Sequence, residues 1–212
     1  MNTKHLEQRF LTTAAKVGVS PEHSLSVLAL ISCLRSDDER VRAHYDHSLR
    51  VGHLAQSIAS FVYQEPRPLL LAGTLHDIGK CQIPLDVLGK TSNWTEADAL
   101  VMQEHVMAGY HLVKGTFDLS AEVLLWHHKF QKNGYPDVLP EHLHDYSHGT
   151  KVLIVEYGRI LALADVYDAL HRPNDKFGSG MSGERIRTLM FELNPDRTHL
   201  VGHLYLAGIF SI

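Results

Sequence analysis

Apolar side chains recur every three to four residues along most of this chain, the spacing that gathers them on one face of an α-helix. Leu6, Phe10, Leu11, Ala14 and Val17 mark a first helix. Ser20-Pro21-Glu22 then supplies an N-cap with proline in the first turn for a second helix reaching to about Leu34. Asp37 and Asp38 read as the cap of a long third helix carrying Val41, Tyr45, Leu49, Ile58 and Val62, until Pro66 and Pro68 stop it. Leu69 to Leu75 is a short, almost wholly apolar helix that Gly79 ends, leaving His76 and Asp77 at its C-terminal end. Gln82 to Asn93 reads as loop, Thr95-Glu96-Ala97-Asp98 as a capping box opening the helix of Met102, His105, Val106 and Gly109, and Ser120 as the cap of a helix ending near His127-His128. Asn133-Gly134-Tyr135-Pro136 has turn chemistry, and Tyr146 to Thr150 is loop-like. Helical periodicity returns from Val152 to Leu170, Arg172 to Ser182 reads as a flexible loop, and two helices split at Asn194-Pro195 finish the chain. Alternation of period two is nearly absent, so the expected class is all-α, with about eight to ten helices.

Composition narrows the function more than the fold. At 212 residues the length suits one sizeable core, read as N-terminal helices over residues 1–36 packed on a domain over 37–212. A net charge of -4 leaves no basic field for duplex nucleic acid and no cationic stripe for a membrane surface, while a nucleotide-sized ligand fits. The oligomeric state stays open, a homodimer included. Cys33 and Cys81 are too few for a disulfide scaffold and are expected to be free thiols in a reducing compartment. With neither a spanning apolar run nor a signal peptide, cytoplasm is the expected location. The unusual count is 16 histidines, which raises the expectation of a metalloprotein.

Seven of the chain's polar groups carry that expectation: His47, His76, Asp77, His105, His127, His128 and Asp165. Adjacent imidazole and carboxylate at His76-Asp77 suit two neighbouring cations, since one carboxylate can bridge them through its two oxygens. Asp165, between Ala164 and Val166 in an apolar helix, would be expensive to bury without a cation or strong donor. Each histidine singly is more often a core residue bonded to a carbonyl than a ligand. Loop histidines His142, His144 and His148 are read as a surface histidine loop without a capping acid and are assigned no site.

The order of these groups resembles the HD superfamily of metal-dependent phosphohydrolases, and more closely its HD-GYP branch. The resemblance is carried by His47-Ser48-Leu49-Arg50-Val51, His76-Asp77-Ile78-Gly79-Lys80, His105 in Glu104-His105-Val106, His127-His128, Gly134-Tyr135-Pro136 and Asp165-Val166-Tyr167-Asp168-Ala169-Leu170. It implies a compact helical bundle with the metal site between core helices, and two divalent ions, iron or manganese foremost, with zinc, nickel or magnesium also suited. Ala43 stands where members with a third metal carry glutamate, and Lys129 to Asn133 is shorter and less acidic than the branch's stretch before its GYP. On this reading His47, His76, Asp77 and Asp165 hold one ion. Asp77, His105 and one or both of His127 and His128 hold the other, with a metal-bridging hydroxide attacking phosphorus. Asp77 and Lys80 are the expected catalytic groups, Lys80 also meeting the phosphate. Tyr135 stacks on a base, closes the pocket or serves only the turn. Asp168 and Tyr167 are expected to pack in the helix or to support a ligand, as a carboxylate that orients a metal-bound histidine does, rather than to ligate. The implied substrate is a nucleotide phosphodiester of the cyclic di-GMP type; a phosphomonoesterase or nucleotidase, and a catalytically silent nucleotide-binding signalling module, are the alternatives. A zinc deaminase is disfavoured, since the Pro-Cys-x-x-Cys segment is missing.

Overall fold

A computed structural model describes residues 2–90, 92–171 and 181–211. Among them there are ten α-helices and no strand: α1 (Thr3–Lys16), α2 (Pro21–Ile31), α3 (Glu39–Phe61), α4 (Pro66–Leu75), α5 (Leu85–Leu88), α6 (Glu96–Val113), α7 (Asp118–Leu124), α8 (His148–His171), α9 (Gly183–Leu193) and α10 (Thr198–Leu206). Short 3-10 turns follow at Ser32–Leu34, Ile78–Gln82 and Pro195–Arg197. The helical class and the cap residues Ser20, Asp38 and Thr95 agree with the sequence reading.

Several boundaries differ for physical reasons. Pro66 opens α4 instead of only closing α3, because Glu65 caps it and a first-turn proline forfeits no helical hydrogen bond. Ser120 lies buried inside α7, which begins at Asp118. A short helix, α5, sits within the stretch read as loop. Gly79 is no helix cap; it lies in the 3-10 turn against α6, where a Cβ would collide with the His105 carbonyl oxygen. Of the loop read over Arg172 to Ser182, positions 172–180 lie outside the described residues.

The core has two main parts. In one, α8 supplies Ile154, Ile160, Leu161, Leu163 and Ala164, which pack with Val51, Ala55, Ile58 and Leu69 of α3 and α4 and with Met190, Val201 and Phe210 near the C-terminus. In the other, Leu6, Phe10, Val27, Ile31 and Leu34 of the N-terminal helices share one apolar cluster with Tyr45, Leu49, Leu75, Ile78, Val106 and Leu124. Helix α3 crosses α4 at a backbone contact between Gly52 and Gly73: a Cβ on Gly52 would meet the Leu70 carbonyl oxygen at 2.8 Å and the Thr74 nitrogen at 2.9 Å. That approach sets His47, on α3, beside His76 at the end of α4, with ring centroids 5.2 Å apart.

One expectation is overturned here. Cys33 and Cys81, read as free thiols, are joined by a disulfide with Cα atoms 5.8 Å apart. Their separation of 48 positions carries no contact signal; only the fold brings the two 3-10 turns together.

Candidate metal centre

Five helical segments converge on one buried cluster. His47 comes from the middle of α3, His76 and Asp77 from the turn after α4, His105 from α6, His127 from the turn after α7, and Asp165 from α8. Each of these six side chains is almost fully buried. The seventh, His128, is partly exposed.

The carboxylate of Asp77 lies at the centre. Its Oδ2 faces His76 Nε2 at 3.4 Å and His47 Nε2 at 3.7 Å, while Oδ1 faces His105 Nε2 at 3.3 Å. Asp165 Oδ1 stands 3.0 Å from His47 Nε2 and 3.6 Å from His76 Nε2. On the other side His105 Nε2 and His127 Nε2 are 3.3 Å apart. Three triads have ligand atoms within 4.8 Å of one another: His47, His76 and Asp165; His76, Asp77 and His127; and His105, His127 and His128.

The other ring nitrogens explain why these face inward. His76 Nδ1 donates to the Gly73 carbonyl at 2.7 Å, His105 Nδ1 to Met102 and His127 Nδ1 to Leu124, each three residues back. His47 Nδ1 donates to Asp168 Oδ2 at 2.7 Å, and Arg50 grips the same carboxylate through Nε at 2.7 Å and a second nitrogen at 3.0 Å. A proton fixed on Nδ1 leaves the Nε2 lone pair free for a cation. Within this pocket His76 Nε2 and Asp77 Oδ1 are buried without a hydrogen-bond partner. Such orphaned atoms are costly in a dry interior, and divalent cations held there would satisfy them. The donor set of imidazoles and carboxylates suits iron, manganese, zinc or nickel, so the residues fit the metal that the sequence implies.

A model of the HD domain family matches residues 44–170. The chain belongs to the HD domain family. It is similar to the cyclic di-GMP phosphodiesterase response regulator RpfG of Xanthomonas campestris pv. campestris, at 32% identity over 170 residues covering 78% of this chain and 42% of that one. It is also 27% identical over 189 residues to the 3'3'-cGAMP-specific phosphodiesterase 1 of Vibrio cholerae, covering 86% of this chain and 40% of the relative. The chain thus spans about two fifths of the length of these two curated relatives. Among solved structures, the crystal structure of the L. monocytogenes phosphodiesterase PgpH HD domain shares the fold, with a TM-score of 0.55 at 16% identity over 82% of this chain and 86% of that one.

Electrostatics inside the HD domain favour ligand-ready groups. Burial alone would raise Asp77, but His76, Lys80 and His105 outweigh it and hold the carboxyl well below the ordinary range. Burial would likewise raise Asp165, yet the His47 and His76 imidazoles beside it keep it low. Burial, reinforced by His128, His76 and His105, holds His127 well below the usual imidazole value, so it is neutral and able to ligate. His76 behaves oppositely: burial disfavours its proton, but Asp77 and Asp165 raise it above the usual value, and a proton there competes with a cation.

The remaining sequence-selected residues sit at the rim. The Lys80 ammonium pairs with Asp77 Oδ2. His128 differs from His127, since its Nδ1 accepts from the Gln131 side-chain amide at 2.8 Å, which puts the proton on Nε2. Tyr135 stacks on the His128 ring with centroids 4.4 Å apart. Lys129 Nζ donates to the Pro136 carbonyl at 2.8 Å, folding the turn back on its own helix end. Two of the three loop histidines meet acids of α7: His142 pairs with Glu122 at 2.8 Å and His144 with Asp118 at 2.7 Å. Sequence reasoning missed the three backbone carbonyls that aim the histidines, because every residue carries a carbonyl and none advertises its role.

Proposed function

We propose that this HD domain is a metal-dependent phosphohydrolase that opens a phosphodiester of a cyclic dinucleotide. One observation carries the reading: the two oxygens of Asp77 face opposite sets of imidazoles, His47 and His76 on one side and His105 on the other. His47, His76 and Asp165 would hold one divalent ion and His105 and His127 a second, with Asp77 shared between them, as a bridging carboxylate requires. Bound there, two cations, iron or manganese by preference, supply Lewis acidity and an activated water. The chain itself fixes the geometry: Nδ1 donors hold the rings, and the buried walls exclude bulk water.

Lys80 has two partners in this reading. Without substrate it neutralises Asp77, and with substrate its ammonium turns to a phosphate oxygen, a short swing for a flexible side chain. Tyr135, braced on His128, offers a base an aromatic face. Similarity to phosphodiesterases of cyclic di-GMP and of 3'3'-cGAMP supports a cyclic dinucleotide over a simple monoester.

The test combines elemental analysis with product analysis. Protein purified anaerobically should carry two ions per chain, and His105→Ala should carry one. With added manganese it should linearise cyclic di-GMP or 3'3'-cGAMP faster than it releases phosphate from a nucleoside monophosphate. The reverse order of rates would place it among phosphomonoesterases, and tight nucleotide binding with no turnover under any divalent metal would mark a signalling module.

A further inference from the structure

We infer that Cys33 and Cys81 form a thiol–disulfide exchange site that sets how tightly the centre holds metal. The bond closes a ring of chain, with a separation of 48 positions, that encloses α3 and α4 and with them His47, His76 and Asp77. Asp165, His105 and His127 lie outside that ring. Cys81 follows Lys80 directly, in the 3-10 turn whose other end is bonded to Asp77 through Lys80 N donating to the Asp77 carbonyl at 3.0 Å. Cys33 is in the 3-10 turn after α2, whose Leu34 shares an apolar cluster with Ile78 of the Cys81 turn. The covalent link therefore anchors the stretch carrying the bridging carboxylate to the N-terminal helices. Opening it enlarges the set of conformations that metal binding must select from, which weakens binding.

Accessibility fits exchange. Cys33 is exposed and Cys81 partly so, while the ligands are buried. A small dithiol can attack the Cys33 sulfur, releasing Cys81 as a thiolate that takes up a proton. Its second thiol then displaces Cys33, so the dithiol becomes a disulfide and two electrons and two protons pass to the protein. The reverse reaction uses a low-molecular-weight disulfide such as oxidised glutathione, which leaves as two thiols.

The metal half of this inference rests on the proposed function; the bond itself does not. Protein equilibrated with oxidised glutathione should show no titratable thiol after denaturation, and two after dithiothreitol and anaerobic desalting. Manganese should bind on the order of fivefold or more weakly to the reduced form, within the usual range of coupling between sites. The double variant Cys33→Ser with Cys81→Ser should match the reduced form and ignore both reagents, which separates exchange from chelation by the reductant. Two thiols after the glutathione step, or equal manganese affinity in the two forms, would overturn the inference. If neither form binds manganese, the metal reading fails and the thermal midpoint decides. Ring closure of this size should raise it by about 10 °C, and equal midpoints would sink the exchange site as well.

Discussion

At the level of single residues, the centre depends on groups that hold the ligands as much as on the ligands. Asp168 accepts from His47 Nδ1 and is itself fixed by two nitrogens of Arg50. Removing such a partner from a metal-bound histidine usually costs about 10- to 100-fold in metal affinity. Asp168→Asn should therefore weaken manganese binding by that order in a calorimetric titration while the far-ultraviolet spectrum stays helical. A second residue makes a pH prediction. His53 is lowered from 6.5 to about 4, first by burial and then by Arg9, and its Nδ1 lies 3.3 Å from Thr13 Oγ1 of α1. Because the folded state resists the proton, this group contributes nothing against folding above pH 6.5; below it the unfolded chain takes up a proton that the folded one does not. Stability should fall as pH drops from about 6.5 towards 4, and His53→Gln should flatten part of that decline in urea melts. The sequence made Asp165 legible, because a carboxylate in an apolar helix demands a partner; His53 gave no such sign, since its burial follows from how α1 lies on α3.

Elements meet where glycines let backbones touch. The crossing of α3 and α4 at Gly52 and Gly73 has no room for a methyl group, and the obstructing atoms are mostly backbone. Gly52→Ala should cost about 1–3 kcal/mol in chemical denaturation. Since His47 and His76 flank the crossing, metal affinity should drop with it, more than for an exposed Gly→Ala at a comparable depth in sequence. Helix periods and caps were readable because each is a local pattern, as with the Thr95 and Asp98 capping box. Crossings were not, since a glycine needed for close approach looks the same in sequence as one that ends a helix, which is why Gly79 was read as a cap. The proline pair at 66 and 68 misled similarly, because stopping one helix and starting the next use the same residue.

For the whole molecule, candidate ligands drawn from five segments would make metal binding and folding a single equilibrium. A cation that binds only the folded chain stabilises it by about 2.7 kcal/mol at 100 times its dissociation constant. Adding manganese to metal-free protein should raise the thermal midpoint, and a chelator should return it; a midpoint indifferent to both would show that the orphaned His76 Nε2 and Asp77 Oδ1 are satisfied some other way. The candidate ligands and their division into two groups around Asp77 were read from order along the chain and the resemblance it carries, yet which oxygen of Asp77 each helix approaches was not, because that depends on how the helices pack. One further consequence concerns descent. The rings of His105 and His127 are steered by peptide oxygens of Met102 and Leu124, and a peptide oxygen survives any change of side chain. Lineages of this fold can therefore rewrite those two positions while both imidazoles keep their aim, so sequence variability there says nothing about whether the centre persists.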